Sequence, residues 1–257
     1  MDRRMKSLSS RDNGEMTIFN WLALETSTDV LSLAVARGCQ TWLHTGEGGA
    51  KASNDGLPVL LELMNQAQLN WTDVTAIVFG RGPGAFTGLR TACSMAQGLA
   101  LGADRRVLPI DTLLAVAEEA RHAHPDAPGR VLAVLDARMQ QVYAAAYEHG
   151  PNGWQCVQEP ALHSPGELCW PDHWAQEEFA AAGNAWESYA DQWPSALTPL
   201  RWKVLPTATA LLRLAPQAWR DGKAVPPELA LPLYVRDKVA QTTDERARQQ
   251  AVSSRSA

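Results

Sequence analysis

Thr17-Ile18-Phe19-Asn20-Trp21-Leu22-Ala23-Leu24-Glu25-Thr26-Ser27-Thr28-Asp29-Val30-Leu31-Ser32-Leu33-Ala34-Val35-Ala36-Arg37-Gly38, and on to Gln40–Thr45, is the stretch that decides the fold. Ile18, Phe19, Trp21, Leu22 and Leu24 form a short dense apolar run, which suits a strand buried on both faces. Glu25 to Asp29 turns the chain. Val30, Leu31, Leu33 and Val35 make a second strand, Arg37-Gly38 a tight turn and Gln40 to Thr45 a third strand. Three strands joined by short turns predict an antiparallel meander.

Downstream the pattern turns helical. Gly46 to Gly56 reads as a loop, with Asn54 or Asp55 as N-cap and Pro58 in the first turn of a helix running to about Leu69. Ala76 to Phe79 reads as a strand, Thr87 to Leu101 as a helix, Val107 to Ile110 as a strand and Thr112 to Arg121 as a third helix. His122 to Gly129 reads as a linker. Strands then return at Val131–Leu135, Val142–Tyr147 and Trp154–Val157, and a last helix, broken near Pro216, spans about Pro206 to Arg220. This order predicts an α/β protein built as a duplicated ribonuclease-H-like unit, the two-lobed actin-like arrangement. The expected division is a disordered leader at 1–16, lobes at 17–121 and 130–236, and a flexible tail at 237–257.

Composition narrows the function. The chain has 257 residues, 46% of them hydrophobic, and a formal charge of −5, which disfavours a stand-alone nucleic-acid binder. Residues 139–200 carry eight acids and neither Lys nor Arg, while 201–257 carry ten bases and five acids. Any anionic partner is expected near Arg201, Lys203, Arg213, Arg220 and Lys223. Cys39, Cys93, Cys156 and Cys169 show no C-x-x-C spacing and read as reduced cytosolic thiols. The six histidines form neither H-x-x-x-H nor H-E-x-x-H, so no helical metal site is indicated. Arg3, Arg4, Lys6 and Arg11 precede no apolar segment of signal-peptide type, and the uncharged stretch Thr91–Ala103 is short of a membrane span.

Three places could carry chemistry. At the first hairpin, Glu25, Thr26, Ser27, Thr28 and Asp29 either cradle anionic oxygens or satisfy a turn. The second is Gly80-Arg81-Gly82-Pro83-Gly84-Ala85-Phe86-Thr87-Gly88-Leu89-Arg90, between strand and helix. It is neither a P-loop nor a dinucleotide fingerprint, and reads either as a rigid platform or as a crossover that only glycine can thread. At the third, Asp136 and Arg138 either meet a cleft ligand or form an ion pair between lobes.

The helix after the glycines is uncharged from Thr91 to Ala103, with two small rows: Gly88, Ala92, Ala96, Ala100 and Ser94, Gly98, Gly102. Small rows admit close helix approach. Together with Leu57, Leu60, Leu61 and Met64 on the preceding helix, and Met95 and Leu99, they predict a face for another chain.

The block Gly80–Arg90, Ala96-Gln97-Gly98-Leu99-Ala100, Leu135-Asp136-Ala137-Arg138 with Val142-Tyr143, and Pro232-Leu233-Tyr234-Val235-Arg236 resemble the bacterial TsaB family, in the family's order. The resemblance implies a two-lobed actin-like fold and a non-catalytic cytoplasmic scaffold subunit of the tRNA threonylcarbamoyladenosine complex. It further implies pairing through the first two helices with the catalytic paralogue TsaD, or with a second copy, and help in recruiting the ATPase TsaE. The isolated chain is expected to hold no cofactor or metal, with ATP at a complex interface and tRNA reached through the complex. Glu25 stands where actin-like kinases carry Asp. A small-molecule kinase or ATPase of this fold is the alternative reading.

Overall fold

The structure, a computed structural model, describes residues 9–12, 15–174, 177–197 and 200–236. Its strands are β1 (Ser9–Asp12), β2 (Glu15–Ile18), β3 (Asn20–Glu25), β4 (Val30–Arg37), β5 (Gln40–Glu47), β6 (Ala76–Gly82), β7 (Arg106–Asp111), β8 (Arg130–Arg138), β9 (Gln141–Gly150), β10 (Gly153–His163), β11 (Ala180–Gly183) and β12 (Leu200–Lys203). The α-helices are α1 (Ala50–Gln66), α2 (Phe86–Ala103), α3 (Thr112–Ala123) and α4 (Ala208–Arg220).

Two five-stranded sheets repeat one plan. Their orders are β5-β4-β3-β6-β7 and β10-β9-β8-β11-β12. In each the first three strands are antiparallel and the last two join in parallel. This is the duplicated ribonuclease-H-like unit of the actin-like class.

The dense apolar strands follow from burial on both faces. Along β3, Trp21 and Ala23 enter a core between the two sheets, while Leu22 and Leu24 enter an outer core under α1 and α2. Along β8, Val131, Ala133 and Leu135 face the shared core, and Leu132 and Val134 face the second sheet's outer core. The lobes exchange their last helices. α3, which follows the first sheet, packs on β8, β9 and β11, and α4, which follows the second, packs on β3, β4, β6 and β7. Between them Arg213 donates to Glu118 (2.8 Å) and Glu119 (2.6 Å), and Trp154 Nε1 donates to Glu118 (2.8 Å).

The expected boundaries need correction in two places. Ser9–Asp12 pairs with Glu15–Ile18, so part of the expected leader forms a hairpin; the expected tail at 237–257 lies outside the described residues. α1 starts at Ala50 with Gly49 as N-cap, placing Pro58 inside the helix and not in its first turn. Among the described residues, the second lobe has 3-10 turns at Pro165–Glu167 and Asp172–Trp174 where the first has crossover helices.

Candidate partner face and interlobe cleft

The glycine block is a crossover that brings α2 down onto the first hairpin. A Cβ on Gly88 would lie 1.8 Å from the Thr26 carbonyl oxygen, and one on Gly84 would lie 2.6 Å from that of Ser27. Thr26 Oγ1 donates to the Gly88 carbonyl (2.7 Å), and Ala85 N donates to the Ser27 carbonyl (2.7 Å). Gly82 has φ +114° and precedes a cis bond to Pro83. Arg81 turns to Asp111, Phe86 stacks near Tyr234 with ring centres 5.2 Å apart, and Arg90 lies over Phe86; Thr87 is exposed.

The same close approach decides which small row faces inward. Gly88, Ala92, Ala96 and Ala100 are buried against the first sheet, as are Leu60 and Met64 of α1. These expected interface residues therefore belong to the monomer's core, because a small row is what lets α2 lie close on the strands. The other row is open. Ser94, Gly98 and Gly102 are exposed, and a Cβ on Gly98 or Gly102 would meet nothing within 4 Å. Leu101 beside them is 75% exposed, and Leu57 and Leu61 of α1 are 43% and 44% exposed. Met95 and Leu99 are half-buried, and a Cβ on Gly56 of α1 would meet Met95 at 3.1 Å. Two neighbouring helices thus present exposed apolar and small residues, Leu57 and Leu61 on α1 and Ser94, Gly98, Leu101 and Gly102 on α2, with the exposed charges Lys51, Asp55 and Glu62 elsewhere on α1.

A cleft of about 200 Å³ opens between the lobes, lined by Ser27, Asp29, Gly84, Asp136, Arg138 and Arg236 among others. Arg138 spans it to Asp29 (2.8 Å) and also pairs with Asp136 (3.4 Å), so the ion pair between lobes is formed. Asp136 Oδ1 accepts from the Tyr189 hydroxyl, and its amide donates to Asn184 Oδ1. Neither Asn184 nor Tyr189 carried a sequence signal, since both come from irregular chain.

Glu25 is sealed beside this cleft and does not line it. It is 1% exposed, its Oε1 accepts from Ser27 N (2.7 Å), and its Oε2 has no hydrogen-bond partner. A Cβ on Gly80 would fall 1.8 Å from Oε2. Burial pushes the carboxyl's pKa up, against the lowering effect of the Ser27 contacts. Thr26 and Ser27 are buried with it. No group of three or more His, Cys, Asp or Glu with metal-holding geometry occurs among the described residues.

Of the expected anion-binding stretch at 201–223, Arg220 and Lys223 are exposed, and three residues make contacts within the chain. Arg213 is half-buried in its ion pairs, Lys203 is paired with Glu187, and Arg201 donates to the Leu197 carbonyl. Trp202 stacks on His124 with ring centres 4.2 Å apart, and Trp219 packs edge-on to Trp21 in the core. The described residues contain no helix long and apolar enough to cross a membrane.

Comparison with known proteins matches this geometry to named relatives. A family model described as TsaD, tRNA N6-adenosine threonylcarbamoyltransferase, matches residues 49–254. The tRNA threonylcarbamoyladenosine biosynthesis protein TsaB of Escherichia coli K12 is 32% identical over 85% of this chain and 95% of its own length. TsaB of Haemophilus influenzae is 33% identical, over 85% and 94% respectively. The solved structure of YeaZ from Pseudomonas aeruginosa superposes with a TM-score of 0.77 at 34% identity, covering 84% of this chain and 99% of that one. Similar in sequence and fold over nearly the full length of these relatives, the chain belongs to the TsaB family.

Proposed function

We propose that this chain is a non-catalytic, cytoplasmic scaffold subunit in tRNA threonylcarbamoyladenosine biosynthesis. It pairs through the outer face of α1 and α2 with a TsaD-type threonylcarbamoyltransferase and helps recruit the ATPase TsaE. The observation that carries this reading is the face made by Leu57, Leu61, Gly98, Leu101 and Gly102, since an exposed apolar surface of this kind marks a protein partner. The same face would serve a homodimer in the absence of the partner. Glu25 supports the scaffold role: the acid at the first hairpin is buried away from the cleft, where it cannot reach a cleft-bound phosphate or metal. ATP would then belong to a site completed by the complex, and tRNA would be reached through the assembly, a reading supported by the ion pairs that Arg213 and Lys203 make within the chain.

The test is reconstitution. The chain mixed with a TsaD-type partner should co-elute on size exclusion, and tRNA modification should need both. The isolated chain should show no ATP turnover above background. Enzyme-like ATP turnover by the isolated chain, lost on Glu25→Ala, would establish the kinase or ATPase reading in its place.

A further inference from the structure

Residues 225–236 leave the end of α4 and cross the first lobe without regular structure beyond one 3-10 turn at Pro227–Leu229. Each part of this segment is tied to a different element. Val225 exchanges both backbone hydrogen bonds with Val107 (2.9 and 2.8 Å) on the edge of the first sheet. The Ala230 carbonyl accepts from Cys93 Sγ (3.1 Å) and Gln97 Nε2 (2.9 Å) on the flank of α2. Leu229 and Leu231 on either side are 60% and 63% exposed, continuing the apolar surface of α2. Leu233 N donates to the Arg81 carbonyl (2.7 Å), and Arg90 Nε donates to the Tyr234 hydroxyl. Arg236 then reaches the other lobe. Its guanidinium donates to the carbonyls of Ala137 (3.0 Å) and Arg138 (3.3 Å) and to Gln141 Oε1 (2.8 Å).

The hairpin that Arg236 grips is unusual. Arg138, Met139 and Gln140 all lie at positive φ, +62°, +57° and +58°. Non-glycine residues avoid this region, and a run of three persists only where surrounding contacts hold it. Those contacts include the Arg236 guanidinium, the Arg138–Asp29 pair across the cleft mouth, the Asp136 carboxylate accepting from Arg138 N (2.8 Å) and Gln192 Nε2 donating to Gln140 Oε1 (3.1 Å). Leu233 to Arg236 also form one wall of the cleft. One continuous segment therefore touches the flank of the partner face, the glycine block, the cleft wall and the strained hairpin.

We infer that residues 225–236 are a latch that couples the α2 face to the interlobe cleft, so that a partner seated on α2 tightens the second lobe's hairpin and closure of the cleft favours the partner. This rests on the partner reading proposed above. The two-state element is the hairpin, gripped or released by Arg236, and linkage makes the coupling reciprocal.

Amide hydrogen exchange on the full chain tests this, free and saturated with the TsaD-type partner. In free Arg236→Ala the amides of residues 138–141 should exchange at least about tenfold faster than in the wild type. Partner binding should slow those amides in the wild type, in the lobe opposite α2. It should leave them unchanged in Arg236→Ala, whose partner affinity should fall several-fold. Arg236→Lys, which keeps the charge without the fork, should lie between the two and serves if the alanine variant folds poorly. Equal exchange in the free variant and wild type would overturn the latch. Hairpin protection that survives in Arg236→Ala, or unchanged partner affinity, would overturn the coupling. Failure of the wild type to form any complex would end the partner reading and the coupling with it, while the free-chain contrast would still decide whether the latch exists.

Discussion

Behind the first sheet lie two α-helices; behind the second lie two 3-10 turns and a layer of aromatic rings. The strand orders are the same, so the contrast isolates what the covering layer does. A helix satisfies its own backbone hydrogen bonds, so α2 can be built from Ala, Gly and Ser and still be stable. The irregular cover has no such ladder and is held by large side chains. Trp174 packs on Phe179 and Trp186 on Trp193, with ring centres 5.3 and 4.5 Å apart. Two of the indole donors have partners, Trp174 Nε1 on Glu148 (2.6 Å) and Trp193 Nε1 on the Trp186 carbonyl (3.1 Å), while Trp186 Nε1 is buried with none. The aromatic cover is closed on itself, whereas the helical cover leaves Gly98, Leu101 and Gly102 open. The second sheet's cover is made within the chain; the first sheet's leaves the face to which the proposed partner would bind.

The sharpest break of this contrast uses two positions on α2. Ala92→Arg places a charge against the first sheet at a fully buried site. An unpaired buried charge costs at least about 5 kcal/mol, as much as many domains have in total. The variant should not fold, as seen by loss of cooperative thermal unfolding. Gly98→Arg points into open space and gains about 0.5–1 kcal/mol of helix propensity. It should melt at or above the wild-type temperature while losing at least about tenfold in partner affinity, through a charge buried unpaired at the interface. A stable Ala92→Arg would reverse the inward assignment of its row. An undiminished complex with Gly98→Arg would move the partner elsewhere.

On the aromatic side, Trp174→Ala should cost about 3–5 kcal/mol in urea unfolding, the range for deleting a buried large side chain. Trp174 is fully buried, so the cavity and the loss of its hydrogen bond to Glu148 add to one another. Because this layer faces away from α2, partner affinity measured where the variant is still folded should be unchanged. A joint loss of stability and affinity would show that the two covers are not independent.

Both meanders and α2 were legible because their patterns are local: apolar runs with turns, then an uncharged helical stretch. The existence of two small rows on α2 was legible as well. Which row faced inward was not, since periodicity gives rows and not orientation; that depends on the Gly88 contact with Thr26, sixty-two residues away in sequence. The start of α1 was misplaced because Gly49 caps it without a side-chain bond. A proline normally marks a first turn, and Pro58 lies well inside. The described residues from 164 to 197 show no helical stripe, because packing among Trp170, Trp174, Trp186 and Trp193 and their aromatic neighbours holds them. The contacts of the segment at 225–236 with both lobes have no local signature. In the basic stretch, charge counting does not see partners: Arg213 faces two glutamates of α3.

The smallest expected effect contrasts one carboxyl from each lobe. Glu25 in the first is held above its ordinary value by burial. Glu148 in the second is held below it by the Trp174 and His173 hydrogen bonds, which favour its charged form. For Glu25 the folded pKa exceeds the unfolded value of about 4.5. Below that value both states are protonated and the group contributes nothing. As the pH rises past it, the unfolded chain releases a proton that the folded chain keeps, so stability falls until the folded pKa is passed. For Glu148 the order is reversed. Its contribution is present above the unfolded value and is lost as the pH falls through the lower, folded one. Glu25→Gln should therefore be more stable than the wild type near neutral pH, and Glu148→Gln less stable. The Glu25→Gln difference should shrink toward zero as the pH falls to about 4, whereas the Glu148→Gln difference should persist there and shrink only as the pH falls through the lowered folded value. Urea unfolding of the three proteins at several pH values between about 2 and 7 reads this directly. A Glu25→Gln difference that does not grow with pH would mean that the Glu25 carboxyl ionises as freely in the folded chain as in the unfolded one. The buried acid of the first hairpin would then be open to the cleft, and the strongest physical argument for a scaffold without catalysis would be lost.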